Sequence, residues 1–171
     1  MADRFRYLVI ADESPEFPAA LTYAARRAKL TDAGVVLLRV IAPTPPAEWV
    51  AVSEEIRREA ADAAEALAER YAAEVWAESG LTVEIIIREG DLKTEIKRLI
   101  DEDPSIKVLA LAAGAGAGGP GPLVTQAARG QSFATRPVPV LIVPGALPRE
   151  QLLALAEPEG GAAPAETPPA A

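Results

Sequence analysis

Five short apolar runs, separated by stretches of helical periodicity, set the layout of this chain. The runs are Tyr7 to Ala11, Val35 to Ile41, Leu81 to Ile87, Val108 to Ala113 and Pro139 to Pro144. Short apolar runs closed by turn residues fit strands buried on both faces. Between the first two, Leu21, Ala24, Ala25 and Ala28 recur at helical spacing. A long helix follows, with Val52, Ile56, Ala60, Ala63, Leu67, Tyr71 and Val75 as one apolar stripe. Its charged residues Glu54, Arg58, Asp62, Glu65 and Glu69 read as a solvated face, and Trp49 and Trp76 near its ends as packing anchors. Leu92, Ile96, Leu99 and Ile100 mark a third helix. Leu123 to Ala134 is a weaker fourth, interrupted or kinked at Gly130.

The punctuation agrees with this layout. Ser14-Pro15 suits an N-cap with proline in the first turn, although Pro18 allows a later start. Thr31-Asp32-Ala33-Gly34 and Gly80 stop helices, Asp91 is placed to cap the third, and Asp103-Pro104 ends it. Strands alternating with helices imply right-handed βαβ crossovers and a parallel sheet with helices on both faces, an α/β domain over 1–145. From 146 to 171 a proline- and alanine-rich tail replaces the pattern. A short helix through Leu152, Leu153 and Leu155 fits within 148–157, and disorder is expected beyond Pro158.

Composition narrows the chemistry. Half of the 171 residues are hydrophobic, enough for a substantial core. Cysteine and histidine are both absent, which removes disulfides, thiolate chemistry, imidazole acid–base catalysis and Ser-His-Asp triads. No general base stands out, so the chain is read as not an enzyme, at most an incidental ATPase. A net charge of −8 argues against nucleic acid as a partner. With no signal pattern before Leu8 and no apolar run of membrane-spanning length, a soluble cytoplasmic protein is expected.

One stretch invites a ligand. After Val108 to Ala113 the chain runs Gly114-Ala115-Gly116-Ala117-Gly118-Gly119-Pro120-Gly121-Pro122. A buried strand ending in such a loop and leading into a helix can hold an anion on free amides; the alternative is a turn that binds nothing. In an open α/β sheet, ligands bind beyond the carboxyl ends of the strands, where strand order reverses. Asp12, after the first strand, and Gly114 to Gly121, after the fourth, fall at that edge, and Val40 and Ile41 would line the same opening. Asp12 can hold a ribose or Mg²⁺, or simply cap the following helix. The loop is not a Walker motif, since no lysine or arginine lies between Val108 and Ala128. Nor is it a dinucleotide fingerprint, whose glycines follow the first strand. A receiver domain would need a lysine after the fifth strand, where Pro144-Gly145 stands.

In this order, Leu8 to Ser14, Val35 to Ile41, Glu89-Gly90-Asp91 and Val108 to Val143 resemble the universal stress protein family, over about residues 5 to 145. The resemblance implies a single Rossmann-like domain of the adenine nucleotide alpha hydrolase-like kind, with five parallel strands in the order 3-2-1-4-5. It also implies a homodimer, often formed through the fifth strand (here 138–144), and a role in stress survival or signalling through a small-molecule or protein partner. Asp12 matches the family's aspartate, and Val40 the backbone position that commonly meets adenine.

ATP-binding members carry Gly, two residues, Gly, nine residues, then Gly followed by Ser or Thr. Gly116 and Gly119 supply the first pair here, but the third position falls on Arg129. Gly118 and Gly121 supply another pair, which leads to Gln131 followed by Ser132. The site implied by the resemblance is therefore Asp12, Val40, Gly114, Gly116, Gly118, Gly119 and Ser132, with an incomplete phosphate motif. Gly-Pro-Gly-Pro at 119–122 also removes two N–H donors. No cofactor is required on this reading. ATP or AMP with Mg²⁺ at Asp12 is the alternative, with slow ATPase activity.

The fifth strand gives an independent reason to expect a dimer. An edge strand leaves N–H and C=O groups unpaired, and Val140, Leu141, Ile142 and Val143 are apolar on both faces. A second copy would satisfy both; the alternative is that 146–157 folds back over the edge.

Overall fold

The computed structural model describes residues 4–43 and 50–158. Trp49 and the segment beyond Pro158 lie outside the described residues. The elements run β1 (Arg6–Ile10), α1 (Phe17–Leu30), β2 (Gly34–Ile41), α2 (Val50–Ser79), β3 (Val83–Glu89), α3 (Leu92–Glu102), β4 (Ile106–Ala113), α4 (Pro122–Ala128), β5 (Val140–Pro144) and α5 (Arg149–Ala156). All pairings are parallel and the sheet order is β3-β2-β1-β4-β5, as the resemblance implies. At the centre, Val9 sits opposite Leu37 on one side and Ala110 on the other.

Strand side chains alternate between faces, and here each face has its own core. Tyr7, Val9, Val35, Leu37 and Ala110 pack beneath α1 and α2. Leu8, Ile10, Val36, Leu38, Leu109 and Leu111 pack against α3 and α4. Ala20, Ala24, Ala25 and Ala28 keep the buried side of α1 small, so it lies close to the sheet. Phe17 closes its N-terminal end, edge-to-face on Tyr71 of α2 at 4.6 Å between centroids.

Several boundaries differ from the sequence reading. Helix α1 takes the later start that Pro18 allows, beginning at Phe17 with Glu16 in the capping position, while Ser14 Oγ still accepts from the Phe17 amide. The buried face of α2 keeps Tyr71 and Val75 of the expected stripe but turns Ala64 and Ala68 inward, while Ala63 is exposed and Trp76 stands 58% exposed rather than anchoring the helix. Position 76 is one step beyond Val75 and so points off the buried stripe. Val52 and Ile56 are about half exposed, since the first half of α2 runs past the edge of the sheet-facing core. The fourth helix stops at Ala128, short of the expected Ala134. Gly130 takes a left-handed φ of 69° and turns the chain away. The tail helix forms as α5, with Leu152 buried against Ala19 and Val143, while Leu155 is exposed. Ion pairs Arg26–Glu157 and Arg149–Glu78 fasten it to α1 and α2. No described helix is long and apolar enough to cross a membrane.

Two aspartates tie α3 into place. Asp91 caps it, accepting from the Thr94 amide at 2.9 Å and the Thr94 hydroxyl at 2.8 Å. Asp101 accepts from the Thr135 amide at 2.9 Å and hydroxyl at 2.8 Å, holding the segment before β5. The Thr94 amide lowers the Asp91 pKa and the Thr135 hydroxyl lowers that of Asp101, both from an ordinary 3.8. Depressed carboxyl pKa values give stability that is present above the unfolded value and lost as pH falls through the folded one. Asp91→Ala and Asp101→Ala should therefore lower the urea midpoint at pH 7. The gap from wild type should shrink as pH falls below 3.8. Midpoints measured across that window check this, and a gap independent of pH would contradict it.

Candidate nucleotide-binding crevice

The sheet order reverses between β1 and β4, so the loops after these neighbouring strands diverge to opposite faces and leave an opening. Asp12 follows β1 at this point. Its Oδ1 accepts from the Ser14 amide at 3.0 Å and the Ser14 hydroxyl at 2.6 Å, and Ser14 Oγ in turn accepts from the Phe17 amide at 3.2 Å. This turn delivers the start of α1 and holds the Asp12 carboxylate in place. Asp12 thus steadies the turn that leads into α1, and it borders the opening.

Two spaces meet at Asp12. The first is a gap of about 30 Å³ shared with Ser14, Pro120, Gly121 and Leu123, which is room for roughly two waters. The second is an open crevice of about 1110 Å³ that extends past Val40 and Ile41 to Leu67 of α2 and to Asp91, which caps α3. Pockets for small organic ligands commonly enclose about 300–1,000 Å³, so the crevice is large enough for a nucleotide and the gap is not.

The glycine loop is folded on itself. Gly114 donates to the Pro120 carbonyl at 3.3 Å and Gly119 to the Gly116 carbonyl at 3.0 Å. A Cβ on Gly114 would meet the Gly119 carbonyl oxygen at 2.8 Å, whereas one on Gly116 or Gly118 would meet nothing within 4 Å. Of the loop, it is Pro120 and Gly121 that line the gap beside Asp12; Gly114, Gly116, Gly118 and Gly119 line neither space. Helix α4 begins at Pro122, which brings no amide to its first turn.

Of the residues named from sequence, Asp12 and Val40 share the crevice. Ser132 does not join them. Its Oγ donates to the Ala134 carbonyl at 2.5 Å, and it lines a separate groove with Phe133, Val138 and Ile142. The early end of α4 is the reason, because the Gly130 turn carries Ser132 to the β5 side.

Sequence reasoning missed Arg39. It shares a strand face with Val35 and Leu37, and its side chain is 16% exposed at the crevice wall. Nη1 donates to the Ala11 carbonyl at 3.0 Å and Nη2 to Glu13 at 2.8 Å, and among the described residues the buried Nε has no partner. The available signal was a lone charge inside an otherwise apolar strand.

With this geometry in hand, the chain can be set beside known proteins. The family model described as the universal stress protein family matches residues 5–114. A universal stress protein of Mycolicibacterium smegmatis is 34% identical over 113 residues, covering 63% of this chain and 37% of that protein. The chain thus spans well under half of that relative's length. Among solved structures, UspA from Lactobacillus plantarum superposes with a TM-score of 0.65 at 21% identity, covering 84% of this chain and 99% of that one. The universal stress protein from Archaeoglobus fulgidus in complex with dAMP does so with a TM-score of 0.58 at 14% identity, covering 82% and 98%.

The loop geometry separates two glycines by stability alone. Gly114→Ala should cost about 1–3 kcal/mol, the usual penalty of overpacking against a fixed neighbour. Gly116→Ala, in open space, should be neutral or stabilise by about 0.4–1 kcal/mol. Urea denaturation of the two variants checks this, and equal effects would contradict the close turn.

Proposed function

The chain belongs to the universal stress protein family, and from that premise we propose that it is a stress-response protein whose crevice takes an adenine nucleotide with a weak phosphate end. The observation that carries this reading is the inequality of the two spaces at Asp12, about 1110 Å³ on the Val40 side and about 30 Å³ on the glycine-loop side. The Archaeoglobus relative's dAMP complex supports an adenine nucleotide as the ligand class. Asp12 is suited to a ribose hydroxyl, since one carboxylate oxygen already fixes the turn and nothing among the described residues donates to the other.

The phosphate side is poor. Two loop amides are spent inside the loop, and no lysine or arginine lies between Val108 and Ala128. A triphosphate would place several charges against bare main chain on a protein of net charge −8. Among the described residues no group of three or more acidic side chains is placed to hold a metal. Mg²⁺ at Asp12 would therefore take its other ligands from the nucleotide and water. Turnover is not part of this reading.

Calorimetry with AMP, ATP and Mg·ATP tests it. ATP should bind no tighter than about 100 µM, near −5.5 kcal/mol, and AMP should bind at least as well. Asp12→Ala should weaken AMP about tenfold, the loss of one good hydrogen-bonded contact. Micromolar ATP affinity would instead favour an ATP-binding protein with a competent phosphate loop.

The partner proposed for the sheet edge is a second copy of the chain. β5 ends the sheet order, Ile142 is 41% exposed, and Val140 and Ile142 border a groove of about 390 Å³ with Phe133. Helix α5 packs on Val143 and so leaves this other face of the strand alone. Light scattering should give twice the 17.9 kDa chain mass, and Ile142→Lys should give the monomer. A monomeric wild type at micromolar concentration would remove the dimer.

A further inference from the structure

Helix α5 leaves a space where it meets the body of the protein. Arg149, Leu153 and Glu157 follow at four-residue spacing and so share one side of the helix and its C-cap. Together with Arg26 of α1 and Glu78 of α2 they border an open cavity of about 350 Å³, which shares no described lining residue with the crevice at Asp12. Its two cations stand at opposite ends. Arg149 opens α5, pairing with Glu78 and lying 3.5 Å from the Thr22 hydroxyl. Arg26, one turn further along α1, pairs with Glu157 at the other end of α5. Eight residues of helix separate 149 from 157, about 12 Å along the axis, and Leu153 with Ala25 and Val75 supplies an apolar middle. The side-chain partners of both guanidiniums are replaceable. Glu157 is 51% and Glu78 45% exposed, and exposed pairs of this kind contribute little. Arg26 also keeps its Nε buried with no partner among the described residues, so Glu157 satisfies it only in part.

We propose that this cavity is a second ligand site and that it takes a short aliphatic dicarboxylate, one carboxylate on Arg26 and the other on Arg149. Each end exchanges one carboxylate for another, so charge stays balanced while Glu78 and Glu157 turn into water. The Nη groups receive the ligand, since a guanidinium presents them in a plane that matches a carboxylate. The methylene chain between the two ends covers Leu153 and Val75, and burial of that apolar surface is the net gain over the internal pairs. A phosphate at either end would bring a second negative charge beside Glu78 or Glu157, which favours carboxylates. The ligand touches α1 and α5 at once and therefore fastens the C-terminal helix to the domain. Helix α5 lies outside residues 5–114, the part of the chain that the family model matches, so this site is independent of the nucleotide reading.

Calorimetry of the full chain with glutarate, adipate, butyrate and sulfate at matched ionic strength is the test. Glutarate or adipate should bind wild type with a Kd of about 1 mM or tighter, roughly tenfold more tightly than butyrate or sulfate. Arg26→Gln and Arg149→Gln should each weaken the dicarboxylate about tenfold, to the level of butyrate. Glu78→Gln removes a competing carboxylate and keeps both arginines, and it should strengthen binding about threefold. Each arginine substitution also removes a tie to α5, so hydrogen exchange of the wild type gives a second reading. The dicarboxylate should slow exchange across 149–156, and butyrate at the same concentration should not. The inference is overturned if neither dicarboxylate binds at about 10 mM, if they bind no better than sulfate, or if both arginine variants keep wild-type affinity.

Discussion

Burial of β1 on both faces is the constraint on which the rest of the structure depends. Leu8 and Val9 are fully buried, one against each helical layer, and the strand is hydrogen-bonded to β2 on one side and β4 on the other. A strand so enclosed cannot be joined to its parallel neighbours by short hairpins. Each connection must cross over a face, which brings every strand to its carboxyl end at the same edge. Because the path from β1 leads first to β2 and only later back to β4, the opening at that edge lies beside Asp12. Position, more than residue chemistry, makes this aspartate the corner of a site.

The two helical layers do this work unequally. On one face α1, α2 and α5 form a continuous cover, with α5 fastened through Leu152 and two ion pairs. On the other, α3 is well tied by Asp91, Asp101 and Arg136, whose guanidinium donates to the Ile100, Asp103 and Ile106 carbonyls. Beyond it α4 has seven residues, and the chain from Arg129 to Pro139 has no regular structure. The groove beside β5 is what this short helix leaves uncovered. The same shortness moves Ser132 away from Asp12, so one local event, the turn at Gly130, shapes both the sheet edge and the phosphate side of the crevice.

Electrostatics in the crevice follow from which strand face each charge occupies. Arg39 lies near the end of β2 on the face shared by Val35 and Leu37, which brings it over the end of β1 to the Ala11 carbonyl and Glu13. Val40, the next residue, turns to the opposite face and packs toward α3 and α4. A single strand terminus thus offers an apolar wall on one side and a cation on the other. The glycine loop, by contrast, offers main chain already partly bonded to itself.

The amino-acid sequence determined the alternation of strands and helices, the doubly buried β1, β2 and β4, the Asp91 cap and the turn at Gly80. Each is encoded locally, by apolar runs, by periodicity or by a residue whose side chain or φ preference acts within one turn. It also contained Asp12 and Val40 as neighbours of one opening, because parallel crossovers leave few alternatives for where strand ends lie. Tertiary structure alone decided which alanines of α2 are buried and left Trp76 and Ile56 exposed, since that is settled by what each turn of the helix packs on. It decided that α4 stops before Gly130 and that Ser132 leaves the site, through backbone geometry that glycine permits but does not dictate. It decided as well that Arg39 meets Ala11 and Glu13, a contact between strand ends 28 residues apart. No local pattern carries that information, because it exists only once the register of β1 against β2 is fixed.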